Sequence, residues 1–259
     1  MKSAINILIL TSLLSCGYLQ SSFAGDEKKE KPSPDKIIQM LKEGNERFYN
    51  GESIYPNTDF DRLKLAGKEN QANYAYATIL SCSDSRVPVE LLFDAGVMDL
   101  FVVRVAGNVA DTDEIGTIEY GLVHVNTPVL VVLGHTKCGA VTAVTQAVHG
   151  EHHKLEYNIP PLVDNIIPAV KKSIEQHKDV QGNDIVPYAI EENVWQSIED
   201  LFMHSAAARK LVTSGTVKVV GAIYDISTGK INWLPIEKTD EILKMVEASP
   251  NKQTQEFAE

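Results

Sequence analysis

The chain has 259 residues, 44% of them hydrophobic and 23% charged, enough apolar material for one sizeable core and a single folded domain. Its formal charge of −11 argues against a surface that neutralises nucleic-acid phosphates or settles on anionic lipid. A small or neutral ligand suits such a surface better, and no nucleic-acid partner is expected.

At the N-terminus Lys2 is followed by an apolar run from Ile5 to Leu14 and then by Ser22, Phe23 and Ala24, a small-residue cleavage pattern. The run is shorter than the ~20 residues a membrane span needs. Residues 1–24 are therefore expected to be a signal peptide cut after Ala24, and the mature chain periplasmic or secreted. Leu13, Leu14, Ser15 and Cys16 resemble the lipobox of bacterial lipoproteins, although Leu14 fits it poorly. On that alternative Cys16 carries lipid and anchors the chain to a membrane. Residues 25–32 are nearly all charged and read as a solvated tether. The folded domain is expected over residues 33–248, followed by a polar, frayed tail at 249–259.

Ser33 and Pro34 read as an N-cap with proline at the first helical position, and Ile37, Ile38, Leu41 and Phe48 give the segment an apolar face. This is an N-terminal helical arm. Four runs rich in β-branched residues then read as buried strands: Ala77 to Leu80, Leu100 to Val105, Val129 to Leu133 and Val217 to Tyr224. Helical patterns lie at Glu90 to Phe93, at Ile115 to His124, after Gly139 and at Glu191 to Thr213. Strands separated by helices imply the α/β class, with a mostly parallel central sheet flanked by helices. The turn Ser227, Thr228, Gly229, Lys230 sends Ile231 to Leu234 back as an antiparallel edge strand.

Loss of Cys16 with the signal leaves Cys82 and Cys138, which form either one disulfide or part of a metal site. Cys82, Ser83, Asp84, Ser85, Arg86, Val87 and Pro88 begin where the first strand ends. Gly134, His135, Thr136, Lys137, Cys138 and Gly139 begin where the third ends. Parallel neighbouring strands would bring both motifs to the carboxyl edge of the sheet, where open α/β sheets bind ligands. Two thiolates and an imidazole suit zinc, one ion per chain, and three protein ligands leave the fourth tetrahedral position open. Water in an open position has its pKa lowered to about 7 and supplies hydroxide near neutral pH. Cys138 precedes a helical pattern whose N-terminus favours a thiolate. Asp84 and Arg86 are spaced to pair with each other while turning toward the metal, so that an ionised Asp84 orients the hydroxide by accepting its proton in a hydrogen bond.

The runs CSDSRVP (Cys82 to Pro88) and GHTKCG (Gly134 to Gly139) resemble the two signature motifs of β-class carbonic anhydrases. Gly44 to Phe48, Phe101 to Asn108, and Val219 to Asp225 with Thr228 and Gly229 extend the resemblance from about Ser33 to Leu234. It implies zinc held by Cys82, His135 and Cys138, with Asp84 and Arg86 as the catalytic dyad for the reversible hydration of carbon dioxide to bicarbonate and a proton. It implies pocket positions for Phe101, Ala106 and Tyr120. Asn73 takes the spacing of a pocket glutamine, which Gln71 matches only across a two-residue insertion. A subset of the family has a tryptophan three residues before the first zinc cysteine, in a regulatory bicarbonate pocket. Ile79 stands there, which implies zinc open to water rather than capped by Asp84. Family members pair through sheets and N-terminal helices, which implies a homodimer or homotetramer.

Rival readings remain. A zinc deaminase needs His-x-Glu and Cys-x-x-Cys; His149, Gly150 and Glu151 supply the first, and the chain has no Cys-x-x-Cys. A hydrolase of carbon disulfide or carbonyl sulfide would use the same ligands, and a non-enzymatic metal or redox protein would join Cys82 to Cys138. His149, His152 and His153 form a cluster expected to be a solvated loop rather than a proton relay. Lone His124, His177 and His204 on helical patterns read as surface or satisfied core residues.

Overall fold

The computed structural model describes residues 30–151 and 154–258. The expected signal peptide at residues 1–24 with Cys16, most of the expected tether at 25–32, His152 and His153 lie outside the described residues.

Strands β1 (Ala77–Cys82), β2 (Leu100–Val105), β3 (Val129–His135), β4 (Lys218–Tyr224) and β5 (Ile231–Trp233) form one sheet in the order β2-β1-β3-β4-β5. The first four are parallel, and β5 returns antiparallel to β4. The α/β class and its single antiparallel edge strand agree with the sequence reading. Every residue of β1 and β3 is buried, so these strands read as continuous apolar runs rather than alternating ones.

Helix α1 (Pro34–Asn50) starts as expected: Ser33 Oγ accepts from the Lys36 amide, and Gly51 ends it in the left-handed conformation. Its Gly44 and Asn45 form a tight junction. A Cβ at position 44 would lie 2.0 Å from the Phe93 carbonyl oxygen. Asn45 donates to the carbonyls of Leu92 and Gly229 and accepts from the Ile231 amide. Thus one side chain ties the arm to the short helix α3 (Val89–Leu92) and to β5.

Four further helices escape the periodicity reading: α2 (Phe60–Ala66), α6 (Ile159–Asp164), α7 (Ile167–Gln176) and the C-terminal α10 (Ile236–Ala248). α2 buries none of its residues and so leaves no apolar stripe to read. α6 and α7 open with prolines in their first turn, where proline is tolerated although it punctuates a helical pattern. The expected helix at Ile115 to His124 is α4 (Thr112–Glu119) extended by a π turn at Tyr120–His124. The pattern at Glu191 to Thr213 is two helices, α8 (Val186–His204) and α9 (Ala206–Thr213). Ser205 breaks the run because its hydroxyl caps α9 on the Ala208 amide while donating to Glu119.

The sheet has a core on each face. Leu80, Leu130, Val132 and Val219 pack under α4, α8, α9 and α10. Ile79, Val131, Leu133 and Val220 pack under α1 and α3. Gly134 and Gly221 admit α8 closely, since a Cβ at either would come within 3.0 Å of Val194. The tail is docked rather than frayed: the Gln253 amide donates to the Met203 carbonyl, and Arg209 donates to the Gln253 carbonyl. Among the described residues, no helix is long and apolar enough to cross a membrane.

Candidate metal centre and active site

β1 and β3 are parallel neighbours, with Ser81 opposite Leu133. The chain leaves β1 toward β2 on one side of it and returns as β3 on the other, so a crevice opens above their carboxyl ends. Cys82 ends β1 and His135 ends β3. Cys138 lies one tight turn beyond, at the N-cap of α5 (Gly139–Val148); that turn passes through Lys137, whose φ is +56°. All three residues are buried, and the two Sγ atoms and an imidazole nitrogen lie within 4.8 Å of one another. Among the described residues this is the one group of three or more His, Cys, Asp or Glu side chains placed to hold a metal ion. The cysteines are free thiols.

The imidazole is prepared for ligation. His135 Nδ1 lies 3.0 Å from the Thr136 carbonyl. A carbonyl can only accept, so Nδ1 carries the proton and Nε2 is left with its lone pair. Nε2 is buried without a hydrogen-bond partner, an orphan that a metal ion would satisfy.

The thiols are prepared as well. The Cys82 thiol is pulled down, chiefly by the hydrogen bond from Cys138, against the opposing effect of burial and with help from the Gly107 and Asp84 amides. The Gly107 amide lies 3.3 Å from Cys82 Sγ. The same hydrogen bond and burial push the Cys138 thiol up, opposed by the Val141 and Ala140 amides in the first turn of α5. Two buried thiols beside the imidazole make a donor set that suits a thiophilic divalent ion, which would bind with loss of the thiol protons.

Asp84 stands at the mouth of the crevice. Arg86 grips it in a fork, Nε to Oδ1 at 2.9 Å and Nη2 to Oδ2 at 2.7 Å, and the Arg86 amide adds a third bond to Oδ1 at 2.9 Å. That guanidinium holds the carboxyl well below the usual carboxylate range. Asp84 Oδ2 is 3.9 Å from His135 Nε2, beside the ligand atoms but turned to Arg86. Arg86 Nη2 also donates to the Lys137 carbonyl at 3.1 Å, which joins the two motif loops. From the end of β2, Arg104 donates to the carbonyls of Cys82 and Asp84 at 3.1 and 2.7 Å. Sequence reasoning missed Arg104 and the amide of Gly107. Both act on or through backbone atoms, which carry no residue signature.

The expected pocket residues are dispersed. Ala106 adjoins Gly107 at the carboxyl end of β2, beside the cluster. Phe101 pairs with Thr78, whereas Val105 pairs with Cys82, so Phe101 lies four residues, roughly 13 Å, back along the strand. Tyr120 packs on Phe101 with ring centroids 6.0 Å apart and is 51% exposed. Asn73 precedes β1, at the opposite edge of the sheet from Cys82. His149 Nδ1 donates to the Thr145 carbonyl and finishes α5; His124 stacks on Tyr120, and His177 on Tyr188.

A mostly parallel sheet with a buried Cys2His cluster at its switch point, flanked by an ionised carboxylate, defines a metal-dependent enzyme of α/β architecture. The sequence profile described as carbonic anhydrase matches residues 77–231. The chain is 35% identical over 199 residues to carbonic anhydrase 2 of Mycobacterium tuberculosis, spanning 76% of this chain and 91% of that one. Among solved structures, the β-carbonic anhydrase CafA of Aspergillus fumigatus superposes with a TM-score of 0.61 at 21% identity, over 85% of this chain and 98% of that one. A tetrameric β-carbonic anhydrase of Sordaria macrospora does so at 0.59 and 20% identity, over 77% and 97%. The chain belongs to the carbonic anhydrase family, in its β class, and is a lyase.

Proposed function

We propose that this chain interconverts carbon dioxide and bicarbonate at one zinc ion held by Cys82, His135 and Cys138, with Asp84 and Arg86 as its catalytic dyad. One observation carries the reading: three soft and borderline ligand atoms converge beside a carboxylate whose two oxygens are both engaged by Arg86. Zinc bound there would act as a Lewis acid, lowering the pKa of a coordinated water to about 7. Ionised and acceptor-only, Asp84 takes the hydrogen bond of the attacking water and turns its lone pair toward the substrate carbon. Arg86 keeps Asp84 turned aside from the ligand atoms, so that the carboxylate would serve as an acceptor beside the zinc rather than as a ligand to it. Arg104 and the Lys137 carbonyl hold the dyad in register with the ligands.

The dispersed pocket residues fit an oligomer. Among the described residues β2 is an edge strand with nothing paired to its outer side. Two copies paired antiparallel along β2 would bring the amino end of one strand, with Phe101 and Tyr120, to the carboxyl end of the other, where Cys82 lies. A homodimer, or a tetramer built from it, then completes an apolar pocket for carbon dioxide with a neighbour's rings. Export through the leader at residues 1–24 is the matching proposal for location. The intact mass of the chain recovered from its host tests it, since a start at Gly25 supports release, a lipidated Cys16 the anchored form, and an intact Met1 contradicts both.

The reaction is tested with carbon dioxide, carbonyl sulfide and carbon disulfide supplied in turn to the zinc-loaded protein and to Asp84→Asn. The proposal expects hydration of carbon dioxide, reduced at least a hundredfold in the variant. Turnover confined to the sulfur-containing gases would contradict it.

A further inference from the structure

The amide that reaches Cys82 is held in place from the far side of the fold. Gly107 and Asn108 both lie in the left-handed region, with φ of +80° and +46°, a conformation that glycine adopts freely and asparagine tolerates. A Cβ at Gly107 would lie 2.6 Å from Ile166 Cδ1 and 3.3 Å from Ala140 Cβ, so the segment is wedged between the start of α7 and the first turn of α5. From α8 it receives two side chains. Asn193, only 1% exposed, donates from Nδ2 to the Gly107 carbonyl at 2.7 Å. One turn on, the buried Ser197 Oγ lies 2.9 Å from the Asn108 carbonyl and 2.8 Å from that of Asn193. A hydroxyl has one proton to share between them, which leaves the Asn193 amide as the dedicated anchor.

We propose that Asn193 is a positioning residue of the metal centre: by holding the Gly107–Asn108 peptide through its carbonyl, it restrains rotation about the Gly107 Cα and so keeps the adjoining Ala106–Gly107 peptide, whose N–H lies against Cys82 Sγ, in place. An N–H directed at a thiolate draws off negative charge that the sulfur would otherwise give to a metal ion, and such outer partners typically change metal affinity 10- to 100-fold. Asn193 does this without touching ligand, substrate or metal, from a helix 86 residues away in sequence from the peptide it holds. The inference rests on Cys82 being a metal ligand.

The test uses the full chain loaded with ¹¹³Cd as a spectroscopic stand-in for zinc. A hydrogen bond to a metal-bound sulfur carries a scalar coupling from the amide proton to the metal. The wild type should show it at Gly107. Asn193→Leu keeps much of the volume and removes the donor; it should lose that coupling and bind zinc about tenfold more weakly in chelator competition. Should Asn193→Leu not fold, Asn193→Ala, which leaves no side-chain donor, is held to the same outcome. A variant that keeps both the coupling and the wild-type affinity overturns the inference, as does a cadmium-loaded wild type with no coupling at Gly107. A wild-type chain that takes up neither cadmium nor zinc contradicts the ligand reading of Cys82 itself, and the inference with it.

Discussion

Asp84 shows how much one neighbour decides. A carboxylate at a crevice mouth would ordinarily titrate near 4, but the Arg86 fork holds it lower. The sign follows directly: with the folded pKa depressed, the stabilisation is present above the unfolded value and is lost as pH falls through the folded one. Arg86→Ala should therefore return Asp84 toward the ordinary carboxylate range. Below the acid loss that a zinc-bound water of pKa about 7 imposes on both proteins, its pH–rate profile should steepen further between about pH 4 and 5, as the wild type's does not; identical profiles would count against the pairing. Asp200 has the opposite sign. Burial raises it to about 6, opposed by the Gln196 hydrogen bond, so stability is full below the unfolded value near 4 and falls as pH rises through about 6. Asp200→Asn, which preserves the Gln196 bond, should gain roughly 1–2 kcal/mol above pH 7 and progressively less toward pH 4, read by chemical denaturation. A gain independent of pH would contradict this. The dyad was legible in sequence because both partners are side chains two positions apart. Arg104, the Lys137 carbonyl and the Gly107 amide were not, since they meet Cys82, Asp84 and Arg86 only after β2 and β3 flank β1.

Elements whose signal is a buried apolar run were legible: the strands begin within a residue of the expected positions, and α1 has its foreseen cap. The illegible ones lack such a run, as in the fully unburied α2, or are broken by a side chain with a tertiary partner, as Ser205 is by Glu119. The junction of α1 with the sheet depends on Asn45, whose three bonds go to backbone groups of Leu92, Gly229 and Ile231. Asn45→Ala strands those buried groups and should destabilise the fold by about 2–4 kcal/mol. A shift of the urea midpoint of less than about 0.5 kcal/mol equivalent, within the range of ordinary surface substitutions, would show that the arm is not held this way.

At the scale of the whole molecule, the topology explains why two motifs about fifty residues apart meet: the crevice lies where connections from β1 and β3 diverge. It also explains why Phe101 and Tyr120 sit far from the cluster of their own chain. Phe101→Ala should lower kcat/KM for carbon dioxide while leaving one zinc per chain, and light scattering should find at least a dimer. A fully active monomer would contradict the shared pocket. The central claim, an open zinc site with Asp84 set aside by Arg86, is tested most directly by a crystal structure at neutral pH with anomalous data collected at the zinc edge. The account predicts one zinc peak bonded to Cys82 Sγ, His135 Nε2 and Cys138 Sγ, with solvent in the fourth position and Asp84 in the Arg86 fork. A Cys82–Cys138 disulfide, or Asp84 as the fourth ligand, would contradict it.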